Sequence, residues 1–315
     1  MQTIADPADA LAVLHDPGFV VPPVPAAAAV LSGSRSDGPS APVAAGVLCA
    51  SRSDEPSVPE SVHGVAWLRS CVGRFSHGDA YTRRRAISEA LLSTVDPAAL
   101  REAAASSPHA HPVQLLATAL GLGSSPGTTL AAVRTVAAAY QPGTGDETAA
   151  DEAVRTLLDL CGGPADETTA ARIGLLVQAC DATAALIGRA RTAGLAAALR
   201  DTPPVPATKR MATRPAALTT TRVEAGETVR VSLHGIPFGA GPRSCPGRAH
   251  ALALAEGALT APPSPGEHPP PAAAHRPADG TAVAHRSETA AVGRRSVDGA
   301  AVAGDGVCGD GVCGD

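Results

Sequence analysis

The segment 234–247 combines residue types that favour an ionised cysteine. Its sequence, HGIPFGAGPRSCPG, places Cys245 among glycines at 239, 241 and 247, and a helical pattern begins near Pro246. The positive N-terminal end of a helix stabilises a thiolate, which is the form of cysteine that binds metals. Glycines allow backbone N–H groups to approach the sulfur closely. Cys245 is therefore a candidate for a stabilised thiolate with a ligand role.

The same segment resembles the haem-binding loop of the cytochrome P450 family. Six positions match within ten residues: Phe238, Gly239, Gly241, Arg243, Cys245 and Gly247. The resemblance implies that Cys245 is the metal ligand, to the iron of haem b, that Arg243 pairs with a haem propionate, and that Phe238 shields the ligand side. The glycines would let the backbone approach the sulfur and the porphyrin. The alternative is a glycine-rich turn with a buried cysteine, and six matches in so short a window count against it.

A second part of the resemblance lies in the apolar segment 171–190. Its residues 179–183, ACDAT, are similar to the oxygen-binding groove of the family, where a glycine and an acid precede a threonine. The resemblance implies that Thr183 helps to deliver protons to dioxygen. Cys180 stands at the glycine position and Ala182 at the acid position, so Asp181 would replace the acid only if the helix were rotated or bulged. The alternative for Thr183 is a core residue bonded to a carbonyl of its own helix.

Two further segments resemble parts of the family that bind the propionates. In the first, Tyr81 stands at the position of a histidine and Arg85 keeps the arginine; a tyrosine hydroxyl still donates one hydrogen bond. In the second, Arg210 matches an arginine that reaches a propionate. The preceding helix keeps Arg200 of a Glu-x-x-Arg pair but has Ala197 at the acid position, so Arg200 either reaches solvent or lies in a poorly packed corner. The alternative for the first segment is a solvated, arginine-rich helix start, and the alternative for the second is an ordinary alanine-rich surface helix that ends in an exposed arginine.

Apolar spacing predicts the elements that position these residues. Residues 6–17 read as a short helix capped by Asp6, and three- and four-residue steps predict helices between about 62 and 200. The segment 171–190, with Asp166 as its cap, is the predicted central helix. Alternation around residues 225–226 predicts a hairpin over 219–233, and 246–259 returns to helical spacing. The expected fold class is mostly α with a small β portion, a truncated cytochrome P450-like fold.

The chain divides into a predicted haem domain, residues 1–260, and a tail. Within the domain, GSRSDGPSAP (33–42) recurs as ASRSDEPSVP (50–59), which predicts a low-complexity insertion over about 33–60. After residue 260 there is no Leu, Ile, Met or aromatic residue, so 261–315 is expected to be a disordered tail. Two tail cysteines, 308 and 313, lack the second ligand pair of a zinc motif. The segment between Arg200 and Cys245 has no room for the meander of the family.

Composition narrows the class of function. The 315 residues carry a net charge of −5 and a single lysine, Lys209, which argues against a nucleic-acid partner. The sequence starts without a secretory signal, and no apolar run reaches the roughly 20 residues that span a bilayer. Seven scattered cysteines do not indicate a disulfide framework. These features predict a cytoplasmic protein with no membrane partner.

The leading hypothesis is a haem-thiolate monooxygenase, an oxidoreductase that inserts one atom of dioxygen into a small organic substrate. No redox domain is attached, so the resemblance implies an external electron donor of the ferredoxin type. One alternative is a catalytically inactive relative that binds a partner enzyme such as a glycosyltransferase; Ala182 and Ala197 at acid positions favour it, and the complete Cys245 loop disfavours it. Another is a decaying gene product that folds poorly. Haem content separates the first hypothesis from both alternatives.

Overall fold

In the computed structural model, the described residues are 1–23 and 63–260, and they form ten α-helices and six short strands. The predicted insertion at 33–60 and the predicted tail at 261–315 lie outside them. The expected fold class, mostly α with a small β portion, is confirmed. The helices are α1 (Pro7–His15), α2 (Val65–Cys71), α3 (Gly78–Ser93), α4 (Pro97–Ser106), α5 (Pro112–Ala119), α6 (Pro126–Ala139), α7 (Glu147–Cys161), α8 (Glu167–Ala193), α9 (Leu195–Asp201) and α10 (Arg248–Thr260).

Aspartates at N-cap positions set where several helices begin. The side chains of Asp6, Asp96, Asp146 and Asp166 accept hydrogen bonds from the first backbone N–H groups of α1, α4, α7 and α8. Such a cap typically stabilises a helix by about 1 kcal/mol. The sequence prediction of caps at Asp6 and Asp166 is therefore confirmed, and the helices predicted between 62 and 200 are present as α2 to α9.

The 27-residue helix α8 runs through the main apolar core, as its spacing predicts. Its buried face includes Ile173, Leu176 and Val177, which pack with residues of α2, α5, α6 and α7 in one cluster. Among the described helices, α8 alone has the length and hydropathy of a membrane span, and 61% of that apolar window is buried inside the protein. This burial is the arrangement expected of a core helix.

The strands form one four-stranded sheet and one two-stranded sheet. The strands are β1 (Thr3–Ile4), β2 (Phe19–Val20), β3 (Ala207–Ala212), β4 (Ala216–Ala217), β5 (Arg222–Val223) and β6 (Thr228–Ser232). The order is β1-β6-β3-β2, in which only the β1–β6 pair is parallel. Successive side chains of a strand point to opposite faces. In β3 this alternation leaves Lys209 exposed and Arg210 buried.

The hairpin predicted over 219–233 is wrong in its pairing. The two strands of that segment do not pair with each other: β5 pairs with β4, and β6 pairs with β3 and β1. The turn at Gly226, which has a φ of +81°, sends the chain onto β3 instead, because the Gly226 N–H donates to the Ala212 carbonyl at 2.7 Å. Sequence alternation identifies a strand but does not reveal which partner strand it meets.

Candidate functional site

A cavity of about 740 Å³ lies among α3, α8, β3 and the loop that precedes α10. It brings together nine of the eleven residues predicted for the site. They are Tyr81, Arg85, Thr183, Arg210, Phe238, Gly239, Arg243, Cys245 and Gly247. Gly241 and Asp181 are not in the cavity wall. Residues that lie far apart in the sequence thus meet at one place in the fold.

Backbone hydrogen bonds close the loop that carries Cys245. The Cys245 N–H donates to the Phe238 carbonyl at 2.8 Å, and the Ser244 N–H donates to the Gly241 carbonyl at 3.1 Å. Gly239 and Gly241 have φ values of +70° and +67°, a left-handed conformation that glycine adopts without strain. A Cβ at Gly241 would overlap the Leu14 carbonyl of α1, so this glycine also allows the loop to lie against α1.

The Cys245 thiol opens into the cavity. Its side chain is accessible, but burial is the main influence on its ionisation and raises the pKa of Cys245. The accessible surface is therefore part of the cavity wall. The Gly247 N–H and the positive charge of Arg85 act in the opposite direction and lower the pKa of Cys245. A metal cation bound at the sulfur would offset the effect of burial on the Cys245 thiol, because metal binding favours the thiolate.

Tyr81 and Arg85 of α3 hold the loop from the side. The Tyr81 hydroxyl donates to the Pro242 carbonyl at 2.7 Å, and the Arg85 guanidinium donates to the Ser244 carbonyl at 2.6 Å. Arg85 also forms an ion pair with Glu89, one turn later in the helix, at 2.6 Å. Both residues thus contact the backbone next to Cys245 as well as lining the cavity.

The guanidinium groups of Arg210 and Arg243 have no carboxylate partner among the described residues. Arg210 is 6% exposed and donates to the Thr208 hydroxyl at 2.9 Å and the Lys209 carbonyl at 2.8 Å. Arg243 stacks 3.9 Å from the centre of the Tyr81 ring and donates to the Ser76 and Gly73 carbonyls. Burial, with the nearby charge of Arg243, lowers the pKa of Arg210 to about 10. Uncompensated buried charge of this kind is unfavourable until an anion enters.

The charges of the cavity wall fit a haem. Among the described residues, the wall contains the cationic residues Arg74, Arg85, Lys209, Arg210 and Arg243 and no Asp or Glu. Planar guanidinium groups pair well with carboxylates, and haem carries two propionates. A thiol for the iron and unpaired cations for the propionates are therefore present in one cavity. The donor set matches the group that the sequence resemblance implies.

Thr183 and Asp181 of α8 have different placements. Thr183 is 4% exposed and lines the cavity, whereas Asp181 is exposed and lies outside the cavity wall. Because α8 is continuous from Glu167 to Ala193, the rotation or bulge that would bring Asp181 inward is absent. Asp181 instead lies beside Cys180, where burial and then the Asp181 charge raise the pKa of that thiol to about 11.

The corner around Arg200 is solvated. The Arg200 side chain is 68% exposed and pairs with Asp201 at 2.8 Å. Of the two arrangements expected for an arginine whose acid partner is replaced by Ala197, the solvent-exposed one is present. Within residues 1–23 and 63–260, no buried ion pair links α9 to its surroundings through this arginine.

Sequence reasoning missed several residues of the wall, and three of them are polar groups on elements that frame the site. Arg74 lies in the 3₁₀ turn Gly73–Phe75, Gln178 lies on the cavity face of α8, and His250 lies in the first turns of α10. The His250 Nε2 atom is 3.1 Å and 3.0 Å from the Leu92 and Val95 carbonyls, which docks α10 against the end of α3. The helical period of four residues from Ala182 back to Gln178 and Gly174 is the signal that points to part of this surface.

Comparison with solved structures identifies the fold. The chain is similar to P450BioI in complex with an acyl carrier protein ligated to hexadec-9Z-enoic acid, with a TM-score of 0.56 and 12% identity over 82% of this chain and 83% of that chain. It is also similar to the cytochrome P450 PksS of the bacillaene polyketide synthase of Bacillus subtilis 168, with a TM-score of 0.50 and 12% identity over 62% of this chain and 73% of that chain. No protein-family model and no curated protein matches the sequence. At these identities the likeness establishes the fold, which is that of the cytochromes P450.

Proposed function

We propose that the protein is a haem-thiolate monooxygenase of the cytochrome P450 type. It would insert one atom of dioxygen into a small organic substrate, with electrons supplied by an external donor of the ferredoxin type. The observation that carries the proposal is the placement of the Cys245 thiol, the Thr183 hydroxyl and the unpaired Arg210 and Arg243 guanidiniums in the wall of one cavity. The proposed haem domain is residues 1–260, and the proposed location is the cytoplasm.

The contacts of the predicted site residues suggest a role for each of them. Cys245 would hold the iron, and the Gly247 N–H would stabilise its negative charge. Arg210 and Arg243 would bind the propionates, while Arg85 and Tyr81 would keep the loop in place through its carbonyls. The bound haem would supply the oxygen chemistry. The Thr183 hydroxyl would donate a hydrogen bond to a group in the cavity and so help to deliver protons to that group.

The second candidate is an inactive relative that binds a partner protein. The exposed Arg200, which pairs with Asp201, favours this candidate. The family has an acid at the position of Ala197, and this chain lacks that buried partner for Arg200. Ala182 at the other acid position points the same way, since Asp181 does not replace that acid at the cavity. The unpaired cations at Arg210 and Arg243 favour the monooxygenase candidate, because buried charges without a partner destabilise a protein that binds no anionic cofactor.

The experiment that separates the candidates is haem reconstitution with two serine variants. The wild type should take up one haem, and Cys245→Ser should lose the thiolate-type absorption while keeping its helix content by circular dichroism. Cys161→Ser is the matched control, because Cys161 is another free cysteine that does not line the cavity. An unchanged spectrum in Cys245→Ser would refute the ligand assignment. A wild type that takes up no haem would leave the partner-binding candidate and the decaying gene product, and only the former would form a stable complex with a partner enzyme.

A further inference from the structure

We propose that the aromatic ring of Tyr81 positions the Arg243 guanidinium for a haem propionate, and that the Tyr81 hydroxyl does not bind the propionate itself. This role rests on the proposed haem function and adds a positioning residue to it. It differs from the role that the sequence resemblance implies, in which the side chain at this place in α3 donates to the propionate directly.

The single hydrogen-bond donor of the Tyr81 side chain is already in use. A tyrosine has one O–H group to donate. That of Tyr81 donates to the Pro242 carbonyl at 2.7 Å, in the loop that carries Cys245. While this bond is present, the hydroxyl offers only acceptor lone pairs, which repel a carboxylate oxygen. A propionate therefore obtains its hydrogen bonds from other groups of the cavity wall.

The ring of Tyr81 faces the next residue of the same loop. The guanidinium carbon of Arg243 lies over this ring, 3.9 Å from its centre, whereas that of Arg248 lies 5.5 Å from the centre of the Phe238 ring. The shorter distance is that of a planar guanidinium stacked on an aromatic face, a contact that occupies none of its N–H donors. One side chain thus contacts two consecutive loop residues, Pro242 through its hydroxyl and Arg243 through its ring.

The other contacts of Arg243 leave donors for an anion. One of its terminal amino groups donates to the Gly73 carbonyl, and the other donates to the Ser76 carbonyl. A guanidinium has five N–H donors, so three remain. The two carbonyls restrain the guanidinium within its plane, and the Tyr81 ring restrains it out of that plane. Because Arg243 lines the cavity, this restraint pre-organises the remaining donors for a carboxylate there.

Partial burial makes the stacked contact more effective. Burial is the main influence on the ionisation of Arg243 and lowers its pKa, so this guanidinium has lost part of its hydration. A partly desolvated cation is attracted more strongly to an aromatic face than an exposed one. Removal of the ring should therefore weaken the binding of a propionate by Arg243 about 3- to 30-fold.

The test compares Tyr81→Phe with Tyr81→Leu, and haem with its dimethyl ester. Both variants lack the hydroxyl, so they differ in the aromatic ring, while haem and its ester differ only in the two carboxylates. The measurement is the rate at which each reconstituted protein transfers its haem or ester to an excess of an acceptor protein. Tyr81→Leu should transfer haem about 3- to 30-fold faster than Tyr81→Phe. The two variants should transfer the ester at rates within about twofold of each other, because the ester leaves Arg243 no carboxylate to bind.

Arg243→Met provides a second comparison. With no guanidinium for the ring to position, the haem-transfer rates of Tyr81→Phe and Tyr81→Leu should agree within about twofold when each is combined with Arg243→Met. A difference that persists in this background would overturn the proposal, because Tyr81 would then act independently of Arg243.

The comparison of haem with its ester gives three further results that would overturn the proposal. Equal haem transfer by Tyr81→Phe and Tyr81→Leu would show that the ring does not matter. Equal acceleration of haem and ester in Tyr81→Leu would show that the ring supports the loop without acting on a propionate. Faster transfer of haem alone in Tyr81→Phe than in the wild type would show that the hydroxyl binds the propionate. A wild type that takes up neither haem nor ester would refute the proposed function as well, whereas the other outcomes leave that function intact.

Discussion

Two glycines in the Cys245 loop provide a matched test of how that loop is held. Gly239 and Gly241 have nearly the same left-handed conformation, with φ values of +70° and +67°. Their surroundings differ. The nearest atom to a Cβ at Gly239 would be the Ser244 Cα at 3.9 Å, an ordinary contact, whereas a Cβ at Gly241 would overlap the backbone carbonyl of Leu14. Alanine at either position therefore introduces the same backbone strain, and only at Gly241 does it also introduce a clash.

The expected magnitudes follow from these two contributions. Alanine in the left-handed region costs about 1–2 kcal/mol, so Gly239→Ala should lower the free energy of unfolding by that amount. Overpacking against atoms that move little costs a further 1–3 kcal/mol or so. Gly241→Ala should therefore lower the free energy of unfolding by about 2–5 kcal/mol. The difference between the variants measures the contact between the loop and α1.

Urea unfolding followed by circular dichroism measures both free energies, and haem retention gives a second measurement on the same samples. Gly241→Ala should unfold at lower urea than Gly239→Ala and lose haem faster. If the two variants agree within about 0.5 kcal/mol, the Leu14 carbonyl does not restrict the loop, and this account of its position is incorrect.

Three further predictions concern charge. Arg210→Met should raise the stability of the haem-free protein by on the order of 1 kcal/mol, by removing an unpaired buried charge, and should speed haem transfer to an acceptor protein; slower transfer would contradict it. Glu167→Gln, which weakens the hydrogen bonds from Arg83 and Arg84 to α8, should lower the melting temperature by about 2–4 °C, less at high salt; no change at low salt would contradict it. The hydrogen bond from the Thr220 hydroxyl, with others from Thr219 and Thr220, lowers the pKa of Asp9 from 3.8 to about 2. The ionised Asp9 carboxylate therefore contributes its full stability above pH 3.8, and this contribution is lost as pH falls through about 2. Asp9→Asn should flatten melting temperature against pH in that window; an unchanged slope would contradict it.

Local features of the sequence predict much of the fold. Asp6 and Asp166 cap helices because their side chains accept hydrogen bonds from N–H groups two or three residues later, an interaction within one turn. The three- and four-residue spacing of α8 predicts its buried face for the same reason. The Cys245 loop is also local, since its glycines, its cysteine and the following helix lie within one short segment.

Contacts between distant segments explain what the sequence does not predict. The pairing of β6 with β3 depends on the turn at Gly226, and the exposure of Asp181 depends on which face of α8 meets the cavity. The relation of Arg74 to Tyr140 joins residues far apart in the chain. Alternation and spacing carry no information about such pairs. Only packing brings them together.

The reduced protein with carbon monoxide provides the most direct test of the central claim, that Cys245 holds a haem in this cavity. The visible spectrum of the haem-reconstituted, dithionite-reduced protein is recorded with and without carbon monoxide, for the wild type and for Cys245→Ser. A red-shifted Soret band of the thiolate type is expected in the wild type, and this band should be lost in the variant. A wild type without this band, or a variant that keeps it, would contradict the account.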